Sequence, residues 1–476
     1  MSNSSQASQR IAALLDDNSF VEIGAKVTAR ATDFNLKQTE TPSDGVITGY
    51  GVIDGGLVYV YSQDASVLNG TVGEMHAKKI ANLYALALKT GAPVIGLIDS
   101  AGLRLQEATD ALNAFGEIYM QQTLASGVIP QITAIFGPCG GGLAMIPTLT
   151  DFTFMEEKKA KLFVNSPNAL DGNYTEKCDT AAADFQSKEA GIVDVVGEEG
   201  DILSQIRTLV SMLPSNNEDD APFADCTDDL NRASAEIAGC TGDTSIALSI
   251  ISDDNVFFET KKDYAKDMVT GFIKLNGMTV GAVANRCEVC DEDGKVAEKF
   301  DKVLTAKGCE KAADFIDFCD AFSIPVLSLT NVAGFEATIC AEKKIAKAVA
   351  KLTYAFANAT VPKVNVVIGQ AMGSAYVAMN SKAIGADITI AWPDAQIGAM
   401  DAKTAAQIIY DGEGADVIAD KAKEYAADQT SAAGAAKRGY VDEIVEPADT
   451  RKYVIGAFEM LFTKRDDRPV KKHGTV

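Results

Sequence analysis

Histidine and tryptophan are scarce in this sequence of 476 residues, which contains two histidines, His76 and His473, and one tryptophan. Two isolated histidines exclude a catalytic apparatus built on several imidazoles and a zinc site with several histidine ligands. No run of about 18 apolar residues occurs, so we expect no insertion into a membrane. The polar N-terminus, MSNSSQASQR, also lacks the apolar core of a signal peptide.

Basic residues are the second shortage. The chain has 43 lysines and arginines against 66 aspartates and glutamates, a formal charge of -23. This balance argues against nucleic acid as the main partner, because phosphate binding needs clustered cations, and against docking on an anionic membrane. The hydrophobic fraction of 47% and the 39 glycines instead indicate a globular protein of more than one domain.

The nine cysteines are odd in number and scattered, which favours reduced thiols and a cytoplasmic location. Cys287 and Cys290 form a single C-x-x-C, with no second pair at the spacing of a zinc ribbon. A plain pair of thiols near a loop is the favoured interpretation, and a metal or redox role is the alternative.

The chain contains an internal repeat. LYALALKTGAPVIGLID (83–99) matches FIDFCDAFSIPVLSLTN (315–331), and GVIPQITAIFGPCGGGLAM (127–145) matches ATVPKVNVVIGQAMGSAYV (359–377). In both copies the prolines of the two segments are 37 residues apart, and a glycine follows 11 residues after the second proline. Chance similarity between β-α-β segments is the alternative, but equal spacing makes duplication the better explanation.

Two further matches extend the repeat. GYGVIDGGLVYVYSQD (49–64) and GFIKLNGMTVGAVANR (271–286) each predict a β-hairpin, with Asp-Gly and Asn-Gly at the turns. AGIVDVV and RGYVDEIV match near the end of each copy, where the second copy has an extra helical insertion at roughly 403–430. The sequence therefore predicts two related α/β domains, residues 1–222 and 245–476, joined by a polar, acidic linker at 223–244.

In both copies an apolar strand runs into a glycine-rich turn that opens a helix. The turns read GPCGGG (137–142) and GQAMGSA (369–375). Such a turn exposes free backbone N–H groups, which bind either a phosphate or the oxyanion of an enolate or tetrahedral intermediate. Neither turn has the lysine of a P-loop or the G-x-G-x-x-G spacing, so we favour an oxyanion hole. The simpler alternative is a tight turn that needs glycine only for packing.

Several longer motifs resemble one enzyme family, the carboxyltransferase β subunits of biotin-dependent acyl-CoA carboxylases. DSAGLRLQEA (99–108) is similar to the family's D-S-G-G-A-R-I-Q-E-G, and SGVIPQITAIFGPCGGGLAMIPTLTDF (126–152) is close to the next family motif. The segments KKDYAKDMVTGFIKLNG, AKLTYAFANATVPKV and GADITIAWPDAQIGAM, and the ending VKKHG, are also similar to family signatures. The similarity covers nearly the whole chain.

The resemblance implies two tandem crotonase-like domains built of ββα repeats. It also implies a hexamer, a trimer of dimers with the active site at the dimer interface. In this family carboxybiotin on a carrier protein releases CO2, and its ureido nitrogen then removes the α-proton of an acyl-CoA. Two oxyanion holes stabilise the two enolates, so the scheme needs no protein base. This agrees with the lack of an identifiable base near the glycine turns.

By position, the family's acyl-CoA hole corresponds to Gly141 and Gly142, and its biotin hole to Gly373, Ser374 and Ala375. Weaker candidates for binding the phosphates of coenzyme A are Arg104 and Lys78 or Lys79, with ordinary surface cations as the alternative. The position associated with acyl selectivity corresponds to Val377, after Tyr376, where the family usually has Asp or Cys. GFEATICAE (334–342) replaces the family's G-F-L-P-G-T-D-Q-E. These two departures leave the acyl group and the direction of the reaction open.

No Met-Lys occurs in the chain, so no biotinyl-lysine motif is present. The resemblance therefore implies a separate biotin carboxyl carrier protein, together with a biotin carboxylase or a membrane decarboxylase subunit. We expect a carboxyltransferase for propionyl-CoA or methylmalonyl-CoA and no metal. The alternatives are a decarboxylase α subunit or transcarboxylase subunit, a biotin-independent crotonase-type hydrolase or isomerase using Glu107, and a non-catalytic scaffold.

Overall fold

The computed structural model describes residues 5–31, 40–220 and 222–466, and it divides into two compact units at residues 220 and 221. The residues that we expected to form a linker, 223–244, lie within the second unit. There Ala224 donates its N–H to the carbonyl oxygen of Gly277 (3.0 Å), and Ile237 is fully buried in the core. This stretch therefore belongs to the second unit and is not a separate linker, although many of its residues are exposed.

The first unit is built around a seven-stranded sheet with the order β1-β2-β3-β4-β5-β7-β9. Its strands are β1 (Val21–Ile23), β2 (Val46–Ile53), β3 (Gly56–Gln63), β4 (Val94–Ile98), β5 (Gln131–Ile135), β6 (Pro138–Gly140), β7 (Phe152–Glu156), β8 (Lys161–Phe163) and β9 (Val195–Gly197). Its helices are α1 (Gln6–Leu14), α2 (Glu74–Thr90), α3 (Ala108–Ala125), α4 (Met145–Thr148), α5 (Ala183–Lys188) and α6 (Glu199–Met212). β2 is antiparallel to both β1 and β3, and the other pairs in this sheet are parallel. β6 and β8 form a separate parallel pair.

The second unit repeats this plan with the strand order β10-β11-β12-β16-β18-β19-β21, and β20 also pairs with β18. Its strands are β10 (Phe257–Thr260), β11 (Met268–Leu275), β12 (Met278–Asn285), β13 (Glu288–Cys290), β14 (Val296–Lys299), β15 (Val303–Leu304), β16 (Val326–Val332), β17 (Gly334–Phe335), β18 (Lys363–Met372), β19 (Ile388–Ala391), β20 (Gln396–Gly398) and β21 (Glu443–Ile444). Its helices are α7 (Thr244–Ile251), α8 (Ala306–Ala321), α9 (Ile339–Glu342), α10 (Ile345–Asn358), α11 (Gly373–Ala378), α12 (Ala402–Ile409), α13 (Ala415–Tyr425), α14 (Ala432–Lys437) and α15 (Thr450–Leu461).

Both predicted hairpins are confirmed. The β2–β3 turn has positive φ at Asp54 (49°) and Gly55 (81°), and the β11–β12 turn has it at Asn276 (51°) and Gly277 (77°). A two-residue hairpin turn with two left-handed residues matches the twist of the flanking strands, and Asp, Asn and Gly reach that conformation most readily.

Each sheet also contains a side-chain contact that is equivalent to one in the other sheet, as the duplication predicts. Directly after the repeated prolines, the first N–H of the next strand donates to a carboxylate: Gln131 to Asp151 (2.7 Å), and Lys363 to Asp387 (2.8 Å). Such a bond satisfies a backbone donor that the strand leaves unpaired at its start. It also fixes where β5 and β18 begin, and therefore where each of them ends.

The parallel strands are buried on both faces, as their continuous apolar sequences predict. In the first unit α2 covers the sheet with residues three and four apart, Ile80, Leu83, Tyr84 and Ala87. Burying a large aliphatic side chain contributes about 1.5–3 kcal/mol, so this face supplies most of the helix's stability.

The predicted insertion in the second unit is confirmed as helical. It comprises α12, α13 and a π-helix at Ala426–Thr430, all between β20 and β21. In the part of the chain that the structure describes, no helix is both long and apolar enough to cross a bilayer.

Candidate active site

The first glycine turn joins β6 to a 3-10 helix, Gly141–Ala144, which continues into α4. Gly141 has a φ of +62°, and a Cβ there would meet nothing within 4 Å. Glycine is needed at this position because of the left-handed backbone, and the open space lets a ligand approach. At Gly140 a Cβ would instead lie 2.6 Å from the ring of Phe163, so the turn is packed tightly on its inner side.

The second turn joins β18 directly to α11. Gly373 has a φ of +61°, and a Cβ there would lie 3.3 Å from the carbonyl oxygen of Ala399. β20 runs beside this turn, with Met372 paired to Gly398. The left-handed glycine therefore occupies the same place in both copies of the repeat, 11 residues after the repeated proline.

The residues that follow the two glycines match in exposure. Gly142 and Ser374 are exposed, whereas the next residues, Leu143 and Ala375, are fully buried. Left-handed followed by helical backbone makes successive N–H groups converge on one point, a concavity that binds anions. Because the first N–H groups of a helix have no partner within it, both turns have the form of an oxyanion hole.

A cavity of about 660 Å³ adjoins the second turn. Its walls come from α11, β20, the π-helix and the loop after α14, namely Gly373, Ser374, Tyr376, Val377, Ile397, Gly398, Ala399, Gln429, Ala435, Arg438 and Tyr440. The volume lies within the range of pockets that bind small molecules. Arg438 is the cation at this cavity, and its guanidinium donates to the carbonyl oxygens of Gly434 (3.1 Å) and Asp428 (2.6 Å).

Arg104 does not fit the predicted role in binding coenzyme A. Its side chain is 1% exposed, and its guanidinium pairs with Asp44 (2.6 Å) and Glu107 (2.8 Å) and donates to the carbonyl oxygen of Thr71 (2.7 Å). A cation that is buried and fully hydrogen-bonded cannot reach a phosphate in solution. Neither the phosphate contact nor the surface cation that we considered is correct, and Arg104 is a core residue of the first unit.

The two neighbouring lysines differ from each other. Lys79 is buried, donates to the carbonyl oxygens of Ser43 (3.0 Å) and Val46, and burial lowers its pKa to about 8. It is therefore also a structural residue. Lys78 is exposed and pairs with Glu74 (2.5 Å), so of the three predicted cations it alone faces solvent.

The carboxylate considered for a biotin-independent crotonase mechanism, Glu107, is buried as well. One oxygen pairs with Arg104, and the other accepts the N–H of Glu74 (2.6 Å). A carboxylate with both oxygens used in this way is not placed to move a proton on a substrate.

His76 is fully buried between two hydrogen-bonding groups. Its Nδ1 lies 2.9 Å from the carbonyl oxygen of Asp44, and its Nε2 lies 3.2 Å from Nε2 of Gln63. The carbonyl requires an N–H at Nδ1, so His76 is neutral with Nε2 accepting from the amide. Burial first, and then the charge of Arg104, lower its pKa to about 3.

This pKa predicts a pH-dependent stability. The ordinary histidine pKa is 6.5, so below that pH the unfolded chain binds a proton that the folded state excludes down to about pH 3. The free energy of unfolding should therefore fall, through this residue, by about 1.4 kcal/mol per pH unit between pH 6 and pH 4. Denaturant titrations at several pH values give the free energy of unfolding of the unmodified chain and of His76→Gln. Plotted against pH, the two free energies should differ in slope by this amount, and equal pH dependence would contradict the assignment. His473→Gln keeps His76 and is the control.

Other sequence predictions concern cysteines and the C-terminus. All nine cysteines are free, and Cys287 and Cys290 are half-buried at β13. Across residues 5–31, 40–220 and 222–466, no three histidine, cysteine, aspartate or glutamate side chains are arranged to hold a metal ion. His473 and the motif VKKHG lie outside the described residues.

Sequence reasoning missed the side chains that surround the turns. Tyr119 on α3 donates its hydroxyl to the carbonyl oxygen of Gly142 (2.5 Å), across 23 residues of sequence. Gln429, from the inserted helices, and Arg438, at the end of α14, line the cavity beside the second turn. The π-helix that contains Gln429 is an uncommon element that occurs frequently at functional sites, but no sequence signal announces it.

Comparison with known proteins agrees with this geometry. Residues 2–476 match the model of the family described as carboxyl transferase domain. The chain is 38% identical to the methylmalonyl-CoA decarboxylase subunit alpha of Propionigenium modestum over 99% of this chain and 92% of that protein. It is also 38% identical to the propionyl-CoA carboxylase beta chain of Roseobacter denitrificans, over 99% of this chain and 93% of the relative.

A solved structure extends the comparison to the fold. The transcarboxylase 12S structure, described as a hexamer with hydrolysed methylmalonyl-coenzyme A bound, superimposes with a TM-score of 0.90. The identity is 36%, and the match covers 98% of this chain and 92% of the other. The predicted fold of two tandem crotonase-like α/β domains is confirmed, and the chain belongs to the carboxyl transferase domain family.

Proposed function

We propose that this protein moves a carboxyl group between carboxybiotin on a carrier protein and the α-carbon of a short-chain acyl-CoA. The observation that carries the proposal is the pair of exposed turns with left-handed Gly141 and Gly373 at equivalent positions. A reaction that passes through two enolates needs two such holes. Membership of the carboxyl transferase family supports it, and so does the state of Glu107, both of whose oxygens are taken up by hydrogen bonds.

Each turn acts on one reactant. The N–H groups of Gly141 and Gly142 donate to the thioester oxygen of the acyl-CoA and stabilise the enolate formed when its α-proton leaves. Those of Gly373, Ser374 and Ala375 donate to the ureido oxygen of biotin. Lys78 is the candidate for a coenzyme A phosphate, because it is exposed, and its long side chain can exchange Glu74 for a phosphate.

The second turn fits biotin by size and by its donors. The adjoining cavity of about 660 Å³ is lined by small residues and two aromatic side chains, and Gly373 adds no Cβ to it. When bound, biotin supplies the carboxyl group and a basic ureido nitrogen. Tyr376 and Val377 border this cavity and are the candidates for binding the substrate, with Val377 at the position associated with selecting the acyl group.

The acyl group that we propose is propionyl or methylmalonyl, because one relative is named for methylmalonyl-CoA and the other for propionyl-CoA. The relatives also include a decarboxylase subunit alpha, so operation in the decarboxylating direction is the second candidate. We further propose a hexamer, as described for the transcarboxylase 12S structure. The partners are then a biotin carboxyl carrier protein and either a biotin carboxylase or a membrane decarboxylase subunit.

Carboxyl exchange tests the proposal directly. The purified protein, given free biotin and methylmalonyl-CoA labelled in its free carboxyl group, should transfer label to biotin, and malonyl-CoA should react more slowly. The measured quantity is the amount of acid-labile label bound to biotin. Binding of methylmalonyl-CoA without transfer would favour a scaffold, and hydration of an enoyl-CoA without biotin would favour a crotonase-type enzyme. Either result would overturn the carboxyltransferase proposal.

A further inference from the structure

Tyr119 contacts the first turn from a separate helix. From α3 its hydroxyl donates to the carbonyl oxygen of Gly142 (2.5 Å), and the same oxygen accepts the N–H of Met145. The carbonyl of Gly142 thus has two donors, one from the backbone of the turn and one from a separate helix. One side chain therefore ties α3 to the residue that we place in the acyl-CoA hole.

The turn needs such a restraint because it is made of glycine. Gly140, Gly141 and Gly142 are consecutive, and Gly141 has open space around its Cα. Glycine has the widest choice of φ and ψ, so hydrogen bonds and packing must fix the direction of the peptide planes here. The bond from Tyr119 holds the peptide plane that follows Gly142, which limits rotation about ψ of Gly142 and so fixes this residue relative to the helix that it opens.

Tyr119 is itself held in place. Its ring stacks on Phe115, with 6.0 Å between centroids, and Phe115 is buried in the core. A Cβ at Gly142 would lie 3.1 Å from the hydroxyl oxygen, so the phenol packs directly over this Cα. Burial raises the pKa of Tyr119, which keeps the hydroxyl protonated and able to donate.

The second unit shows the alternative arrangement. Tyr119 lies 11 residues before Pro130, and the residue 11 before Pro362 is Lys351. The Nζ of Lys351 pairs with Asp314 on α8, at 2.6 Å, and not with the turn. The two otherwise equivalent turns therefore differ in the side chain that reaches them from the preceding helix.

We propose that Tyr119 is a positioning residue, which holds the Gly141–Gly142 turn in the geometry that binds the thioester oxygen of the acyl-CoA. The inference rests on the proposed function of this turn. Tyr119 acts through the backbone and does not touch the reacting atoms. Its contribution is greatest when negative charge develops on the thioester oxygen, because misaligned donors lose most at that point.

Tyr119→Phe removes one oxygen atom and tests the proposal. In the carboxyl exchange assay we expect kcat to fall about tenfold and KM for methylmalonyl-CoA to stay within about twofold, the pattern of a lost transition-state interaction. The slow release of CO2 from free carboxybiotin without acyl-CoA, which uses only the second turn, should be unchanged. A purely structural role would lower both reactions together, and that result, or an unchanged kcat, would overturn the proposal.

Tyr84→Phe is the matched control. Its hydroxyl accepts from Gln122 (3.4 Å) in the same unit and does not contact the turn, so exchange should stay within about twofold. Failure of the unmodified protein to exchange would count against the proposed function. Wild-type exchange with a fully active Tyr119→Phe would count against the positioning role alone.

A double-mutant cycle tests whether Tyr119 and Gly142 act together. Gly142→Ala places a methyl group 3.1 Å from the hydroxyl oxygen and should displace it. The fall in kcat caused by Gly142→Ala should then be smaller in the Tyr119→Phe background than in the unmodified chain. Equal falls in both backgrounds would show that the two residues do not act together.

Discussion

Valine at position 142 is expected to reduce carboxyl exchange about 100-fold or more while the protein stays folded. Gly142 is exposed at the first turn, where a β-branched side chain would project over the N–H groups that we assign to the thioester oxygen. Its Cβ would also lie 3.1 Å from the hydroxyl of Tyr119 and would push that side chain away. Loss of one donor from an oxyanion hole typically costs a factor of about 100 to 1000 in kcat.

Three properties are measured for Gly142→Val and for the unmodified protein: kcat for exchange, the melting temperature and the molecular mass of the assembly. Only kcat should differ. Gly116→Val on α3 is the control, because Gly116 is exposed and a Cβ there would meet nothing within 4 Å. It should leave exchange unchanged. Full activity of Gly142→Val would show that the first turn does not hold the thioester oxygen.

Arg104→Met should be the most destabilising single substitution in the first unit that we consider. It removes the cation that two buried carboxylates share, and Asp44 and Glu107 are both inaccessible to solvent. Removing one partner of a buried ion pair costs about 3–5 kcal/mol, because the remaining charge has lost both its partner and its water. Burial already raises the pKa of Asp44, and Arg104 counteracts this effect. Without Arg104 the carboxyl group of Asp44 should take up a proton in the folded state, so the loss should shrink as the pH falls from 7 to 5.

Urea unfolding at several pH values measures this loss. Arg30→Met is the matched control, since Arg30 also contacts two carboxylates, Glu74 and Asp110, but is 48% exposed. Its substitution should cost at most about 1 kcal/mol. If both variants lose the same small amount, the buried triad does not stabilise the unit as its geometry indicates.

The features that the sequence predicted best are local ones. The hairpin turns and the glycine-rich turns that open a helix follow from residues adjacent in the chain, because φ and ψ are set by the residue and its neighbours. The repeated proline spacing then placed the two turns in equivalent positions, which needed no knowledge of long-range contacts.

The predictions that failed depend on partners distant in sequence. Arg104 is a charged residue beside a loop, where cations are usually exposed. Its partner Asp44 lies 60 residues away in the sequence and pairs with it in the core. Lys79 is buried by carbonyl groups at Ser43 and Val46 in the same way. The burial of Arg104 has no periodic signature in the chain. Lys79, in contrast, lies four residues before Leu83 on the buried face of α2, so helical spacing could have separated it from Lys78.

The expected linker failed for a related reason. Its acidic composition is typical of solvated segments, yet Arg232 pairs with Asp228 (2.9 Å) and donates to the carbonyl oxygens of Ile250 (3.0 Å) and Ser252 (3.0 Å). One arginine thus anchors the stretch to the second unit. Composition indicates the average environment of a segment and does not reveal a single anchoring side chain.

The matching left-handed glycines also bear on how such an enzyme can diversify. Both copies of the repeat have a left-handed glycine at this position. The exposed positions four residues later differ between the copies and are Met145 and Val377. Either can be exchanged without altering the dihedral angles on which the donors depend. The glycine of each turn must therefore be conserved, whereas the exposed residue four positions later can change. Each unit has one position of each kind.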